Sequence, residues 1–145
     1  DNGPAIAAAA SEQLPRLAVR GLTGGGFEMR LTSFFKAVHD MGTKYVLVTD
    51  GQSGAYLGTG DDILYCPTVH TKVAGSAGAG DSFAAAFSTF LALKRPLDDA
   101  LKAAALNAAA VVAHVDTQTG LLHKSDMETR LAQHSASLAV RRWKM

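Results

Sequence analysis

Residues 72–87 read KVAGSAGAGDSFAAAF. From Ala74 to Gly80 every residue is glycine, alanine or serine, and Asp81 follows at once. Phe83, Phe87, Phe90 and Leu91 then recur at helical spacing and give one apolar face. A flexible run thus leads straight into an acid at the start of a helix. Such a helix end presents unpaired backbone N–H groups and about half a positive charge. Residues without bulky side chains let a phosphate approach those groups. The segment reads as an anion hole, with Gly78, Ala79 and Gly80 as N–H donors. Asp81, fixed in the same turn, is placed to take a proton from a hydroxyl that attacks the phosphate. The competing reading is a helix cap, because aspartate and glycine-rich turns are common at helix starts. Two other phosphate motifs do not fit. A Walker loop needs Lys followed by Ser or Thr, and a dinucleotide fingerprint needs glycine where Phe83 stands.

The rest of the chain alternates helix and strand signals. Residues 4–20 are alanine-rich and read as a helix that Pro15 ends or kinks. GLTGGGFE (21–28) reads as a loop. Over 28–41, Leu31, Phe34, Phe35, Val38 and Met41 fall at helical spacing, and Gly42 stops the helix. KYVLVTDG (44–51) has the composition of a buried parallel strand. GAYLGTGDDILYCP (54–67) reads as a hairpin turning at GTGDD, and VHTKV (69–73) as a strand or extended lead-in. A helix is expected over 98–115 after Pro96, with Asp98 or Asp99 as caps and an alanine-rich face suited to close packing. DTQTG (116–120) is a loop. The last helix, 125–139, opens on a capping box of Ser125 and Glu128, and the basic tail RRWKM reads as frayed. Helices alternating with short strands predict an α/β layer architecture.

Composition narrows the function classes. The 145 residues are 48% hydrophobic and carry a formal net charge of +1. That core is sizeable, and the charge gives no pull toward nucleic acid or a membrane surface. The opening lacks the basic region of a signal peptide, and no apolar run is long enough to span a bilayer. A single cysteine, Cys66, excludes an internal disulfide and reads as a packing residue. His39, His70, His114, His123 and His134 show no metal-ligand spacing. A cytoplasmic setting is expected. Because the chain opens on Asp1 and has few strands for a full sheet, a piece of a longer chain is expected.

Three stretches in order resemble the ribokinase-like carbohydrate kinase family of the phosphofructokinase-B type. Gly75 to Phe87 resembles its second signature, close to D-T-x-G-A-G-D-x-F. VLVTDGQSGAYL (46–57) resembles its nucleotide-contacting V-T-x-G-x-x-G stretch. ALKAAALNAAAVVAH (100–114) resembles the helix beside the adenine. The resemblance implies the C-terminal, nucleotide-binding half of a three-layer α/β/α sandwich, without the N-terminal half that carries sugar contacts and a lid. It implies ATP and Mg²⁺ as cofactors, a sugar or nucleoside acceptor, and a homodimer of the intact protein. Asp81 becomes the catalytic base and Gly78, Ala79 and Gly80 the anion hole. Thr49, Gly51, Gly54 and Asn107 become nucleotide-binding positions.

Two positions depart from the family pattern. Gly75 stands where relatives often keep an acid that helps hold a monovalent cation, so a potassium requirement stays open. Asp50 stands where an apolar residue is usual, and its carboxylate must either face away from the phosphates or meet Mg²⁺. A nucleotide-binding module without turnover, or a kinase of a vitamin-type hydroxymethyl substrate, are the alternatives. The 145 residues alone are expected to be inactive, because half a site does not position an acceptor.

Overall fold

The computed structural model describes residues 14–145. In chain order it contains α1 (Arg16–Arg20), a hairpin of β1 (Leu22–Gly24) and β2 (Phe27–Met29), and α2 (Leu31–Asp40). Next come β3 (Val46–Thr49), a 3₁₀ turn (Gly51–Ser53), β4 (Ala55–Gly58) and β5 (Asp62–Cys66). Then follow α3 (Ala79–Ala92), α4 (Leu97–Val112), α5 (Lys124–His134) and β6 (Arg141–Lys144).

The central sheet has the order β3-β4-β5-β6, and every pair in it is antiparallel. Period-two alternation splits its side chains between two cores. On one face Val46, Tyr56 and Ile63 pack with Leu17 and with Leu31 and Phe35 of α2. On the other, Ala55, Leu57, Leu64 and Cys66 pack with Phe83, Phe87 and Phe90 of α3 and with the alanines and leucines of α4. Helices thus cover both faces of the sheet, the three layers expected. The alanine-rich face of α4 lets α3 lie close along it.

Several expectations change. β3 is not a parallel strand among the described residues. The 3₁₀ turn at Gly51–Ser53 folds the chain back, so β3 pairs antiparallel with β4 from Val46↔Gly58 to Thr49↔Ala55. GLTGGGFE is a hairpin rather than a loop, turning at Gly25 and Gly26, both with positive φ. That strand pair delays α2 to Leu31, and Met41 is left exposed beyond its end. Pro15 sits at the start of α1, where its missing N–H costs nothing. The portion of the expected 4–20 helix before residue 14 lies outside the described residues. VHTKV forms no strand and runs as an irregular lead-in. The helix after Pro96 has no side-chain cap from Asp98 or Asp99 and ends at Val112. The capping box at Ser125 is not made. His123 occupies the cap position without a side-chain bond, and Glu128 instead meets Arg95 at 2.5 Å. The helix ends at His134, not 139. The basic tail is not frayed, because it pairs with β5 as β6, and Arg142 and Lys144 meet Asp62.

Candidate nucleotide and phosphoryl-transfer site

A cavity of about 430 Å³ opens between the β3–β4 turn, the segment after β5, and the facing ends of α3 and α4. Its polar side is Thr49, Gly51, Gln52, Ser76 and Gly80. Its apolar side is built from Val69, Val73, Phe83 and the α4 stripe Ala105, Ala108, Ala109 and Val112. That stripe keeps the spacing i, i+3, i+4, i+7, so a single helix face presents it. Small side chains there keep this wall of the cavity low. The three stretches that stood apart in sequence therefore meet around one cavity.

The residues expected to form an anion hole sit as their composition demands. Gly78 adopts φ +79°, a left-handed conformation open to glycine, and caps α3. Ala79 begins the helix, and its N–H has only a 3.5 Å contact with Ser76 O. The amides of this first turn have no partner four residues back and point out of the helix end. Ala79 and Gly80 both line the cavity. A Cβ placed on Gly80 would lie 3.9 Å from Thr49 Oγ1, so the end of β3 and the start of α3 face each other closely. Asp81 lies in the first turn, exposed, beside the cavity-lining Gly80 and outside the wall itself.

The turn Thr49–Gly54 is tied from several directions. Asp50 N–H donates to Gly54 O at 2.8 Å, and Ser53 N–H to Asp50 O at 2.9 Å. Tyr65 Oη donates to Ser53 O at 3.1 Å, and Thr68 Oγ1 to Gly51 O at 3.3 Å. Gly54 has φ +93°, and a Cβ there would lie 2.5 Å from Cys66 O. Only glycine fits. Cys66 itself lines the cavity, but burial pushes its thiol up to about 12, which removes the thiolate needed for nucleophilic chemistry.

Of the sequence-selected residues, Thr49, Gly51, Gly54, Ala79 and Gly80 line the cavity, whereas Gly78, Asp81 and Asn107 do not; Gly78 and Asp81 flank the lining pair Ala79 and Gly80, and Asn107 lies apart. Its side chain is buried, with Nδ2 donating to Ser82 O at 3.0 Å and Oδ1 accepting from Leu122 N at 2.9 Å. It ties α4 to the second residue after Gly80 and to the loop before α5. The departures also resolve in space. Asp50 faces away from the cavity and is held by Arg16, with Nε at 2.9 Å from Oδ2 and Nη2 on Oδ1. A Cβ on Gly75 would lie 3.0 Å from Val115 O and 3.1 Å from His114 O, so the 114–115 backbone occupies the room an acidic side chain would need. No carboxylate is among the cavity-lining residues. The lining side chains therefore offer a hard cation hydroxyls, those of Thr49, Thr68, Thr71 and Ser76, rather than carboxylates.

Sequence reasoning missed Arg16, Thr68 and Tyr65. The only signal for Arg16 was the misfit of Asp50, since an ion pair 34 residues apart leaves no local pattern.

The layered α/β arrangement is that of part of a ribokinase-like fold. The family model of the pfkB family carbohydrate kinases matches residues 29–124, and the chain belongs to that family. It is 40% identical over 74 residues to the fructosamine kinase FrlD of Bacillus subtilis (strain 168), which covers 51% of this chain and 26% of the relative. A ribokinase from Thermotoga maritima superposes with a TM-score of 0.60 at 25% identity, covering 66% of this chain and 32% of the other. A putative ribokinase II from E. coli, solved in complex with ATP and Mg²⁺, superposes with a TM-score of 0.68 at 21% identity, covering 75% and 35%. The chain is thus a partial ribokinase-type fold, spanning about a quarter of that curated relative and about a third of each solved one. No described helix is long and apolar enough to cross a membrane.

Proposed function

We propose that this chain supplies the nucleotide site and the base of an ATP-dependent kinase acting on a hydroxyl of a sugar or related small molecule. The observation that carries this reading is the convergence of Thr49, Gly51, Gly80 and the α4 stripe on one cavity, with Asp81 beside its polar end. The nucleobase lies against the alanine and valine wall. The phosphates lie toward the Thr49–Gly54 turn, with the transferred group at the Gly78, Ala79 and Gly80 amides. The acceptor oxygen attacks the γ-phosphorus, its proton passes to the Asp81 carboxylate, and the bond to the β-phosphate oxygen breaks to release ADP. Amides fixed at a helix end stabilise the charge that develops on the transferred group without reorganising. Mg²⁺ supplies charge neutralisation on the phosphates when bound. Likeness to the fructosamine kinase supports a sugar-derived acceptor. Family membership supports a homodimer and a cytoplasmic setting for the whole protein.

In the full-length protein, Asp81→Asn is expected to lower kcat by about 10²–10⁴-fold, the usual worth of a positioned general base, while the KM for ATP changes little. A kcat within a few-fold of wild type would remove Asp81 from the base role. The nucleotide-binding module loses the Asp50 observation that favoured it, because that carboxylate is neutralised by Arg16.

A further inference from the structure

The cavity lies on one side of the sheet, and α1 packs on the other with Leu17, Tyr56 and Ile63. Yet α1 reaches the phosphate-side turn by two routes. Arg16 grips both oxygens of Asp50, the residue between the cavity-lining Thr49 and Gly51. Next to it, Leu17 N–H donates to Tyr56 Oη at 3.0 Å. Tyr56 is fully buried, and its ring lies 5.1 Å from that of Tyr65, which in turn holds Ser53 O. The Asp50 carboxylate is only 7% exposed, whereas Arg16 is 49% exposed.

A shielded carboxylate beside a site for a triphosphate is unfavourable unless it is paired, because charges repel strongly where water is excluded. We infer that Arg16 and Asp50 form a positioning pair that neutralises this carboxylate and fixes the Thr49–Gly54 turn for the phosphates of the bound nucleotide. Neither residue touches the nucleotide. The pair acts through the turn's backbone and through the charge presented behind it. Arg suits the role because its planar fork matches both carboxylate oxygens.

This inference rests on the nucleotide reading of the cavity, and the test separates the two. Dissociation constants for ATP–Mg²⁺ and for adenosine are measured by calorimetry on the full-length protein. The variants are Arg16→Gln, Asp50→Asn, Arg16→Lys and the double Arg16→Gln/Asp50→Asn, each checked by thermal melting. Arg16→Gln is expected to weaken ATP about tenfold, with adenosine affected less than twofold, as an uncompensated charge requires. The double variant, with no charge left behind the turn, is expected to restore ATP affinity to within about threefold of wild type. Arg16→Lys keeps the charge and is expected to lie between the two. Should Arg16→Gln fail to fold, Asp50→Asn still reads the pair: ATP is then expected to bind as tightly as to wild type or tighter. Equal losses for ATP and adenosine, or no recovery in the double variant, would reduce the pair to a structural contact and overturn the inference. A wild-type protein that binds neither ligand overturns the nucleotide reading and this inference with it, whereas wild-type binding with an indifferent Arg16→Gln overturns this inference alone.

Discussion

Asn107 shows how one amide can hold a site it does not touch. Its two bonds bridge Ser82 O in the first turn of α3 and Leu122 N before α5. Asn107→Leu keeps the volume and leaves both backbone groups without their partner. Each buried unsatisfied group costs about 1–3 kcal/mol, so we expect a loss of about 2 kcal/mol or more in denaturant unfolding. A loss below about 0.5 kcal/mol, the scale of a neutral surface change, would show that water replaces the amide. Asp116 does comparable work in the loop that faces Gly78. Its carboxylate accepts from Thr119 N at 2.6 Å and Gln118 N at 2.8 Å. The Thr119 and Gln118 amides lower its pKa from 3.8 to about 2. A depressed carboxyl stabilises the fold above its unfolded value and loses that contribution as pH falls through its folded one. Wild type should therefore exceed Asp116→Ala in stability by a constant margin above pH 3.8 that shrinks toward nothing near pH 2, followed by melting temperature across that window. A margin independent of pH would mean that the turn, not the charge, is what matters.

At the level of elements, β6 makes the sharpest claim. Trp143, the chain's one tryptophan, is half-buried opposite Ile63 and packs with the α2-side core. Its fluorescence on titration with denaturant should change together with the far-ultraviolet circular dichroism, since β6 belongs to the same cooperative sheet. An earlier tryptophan transition would mean that the tail frays as its composition alone suggests. The long amphipathic elements were legible because their signals are local. α3, α4 and the β4–β5 hairpin each carry a period that sequence displays. β1, β2 and β6 were not, because strands of three or four residues hold too little alternation to separate them from loops. β6 depends moreover on Asp62, some 80 residues away. The antiparallel sense of β3 was missed for a related reason. A buried β-branched run looks alike in either direction, and a turn of three residues reversed it. Around the cavity, Ala79 and Gly80 were legible as small residues leading into a helix start, and Thr49, Gly51 and Gly54 only through the resemblance of their stretch to the family's. Asn107 was selected only through the resemblance, as a nucleotide position, and neither its burial nor its two backbone partners leave a local pattern.

For the whole molecule, the central point is what one chain of this length can do. It holds both layers of helices, a continuous core on each face of the sheet, and the cavity. It spans about a third of each solved relative, and β3 has one strand neighbour among the described residues. The 145 residues alone should therefore bind ATP–Mg²⁺ without phosphorylating any sugar in a panel, because positioning of the acceptor supplies much of the rate. Calorimetry paired with an ADP-release assay checks both halves of that statement. Sustained ADP release that depends on a sugar would show that the acceptor site is already complete. The placement of α1 has a pharmacological corollary. Since the Arg16 contact lies behind the sheet, a small molecule wedged between α1 and Tyr56 would blunt ATP binding from the reverse side, with no resemblance to a purine and no competition from adenosine.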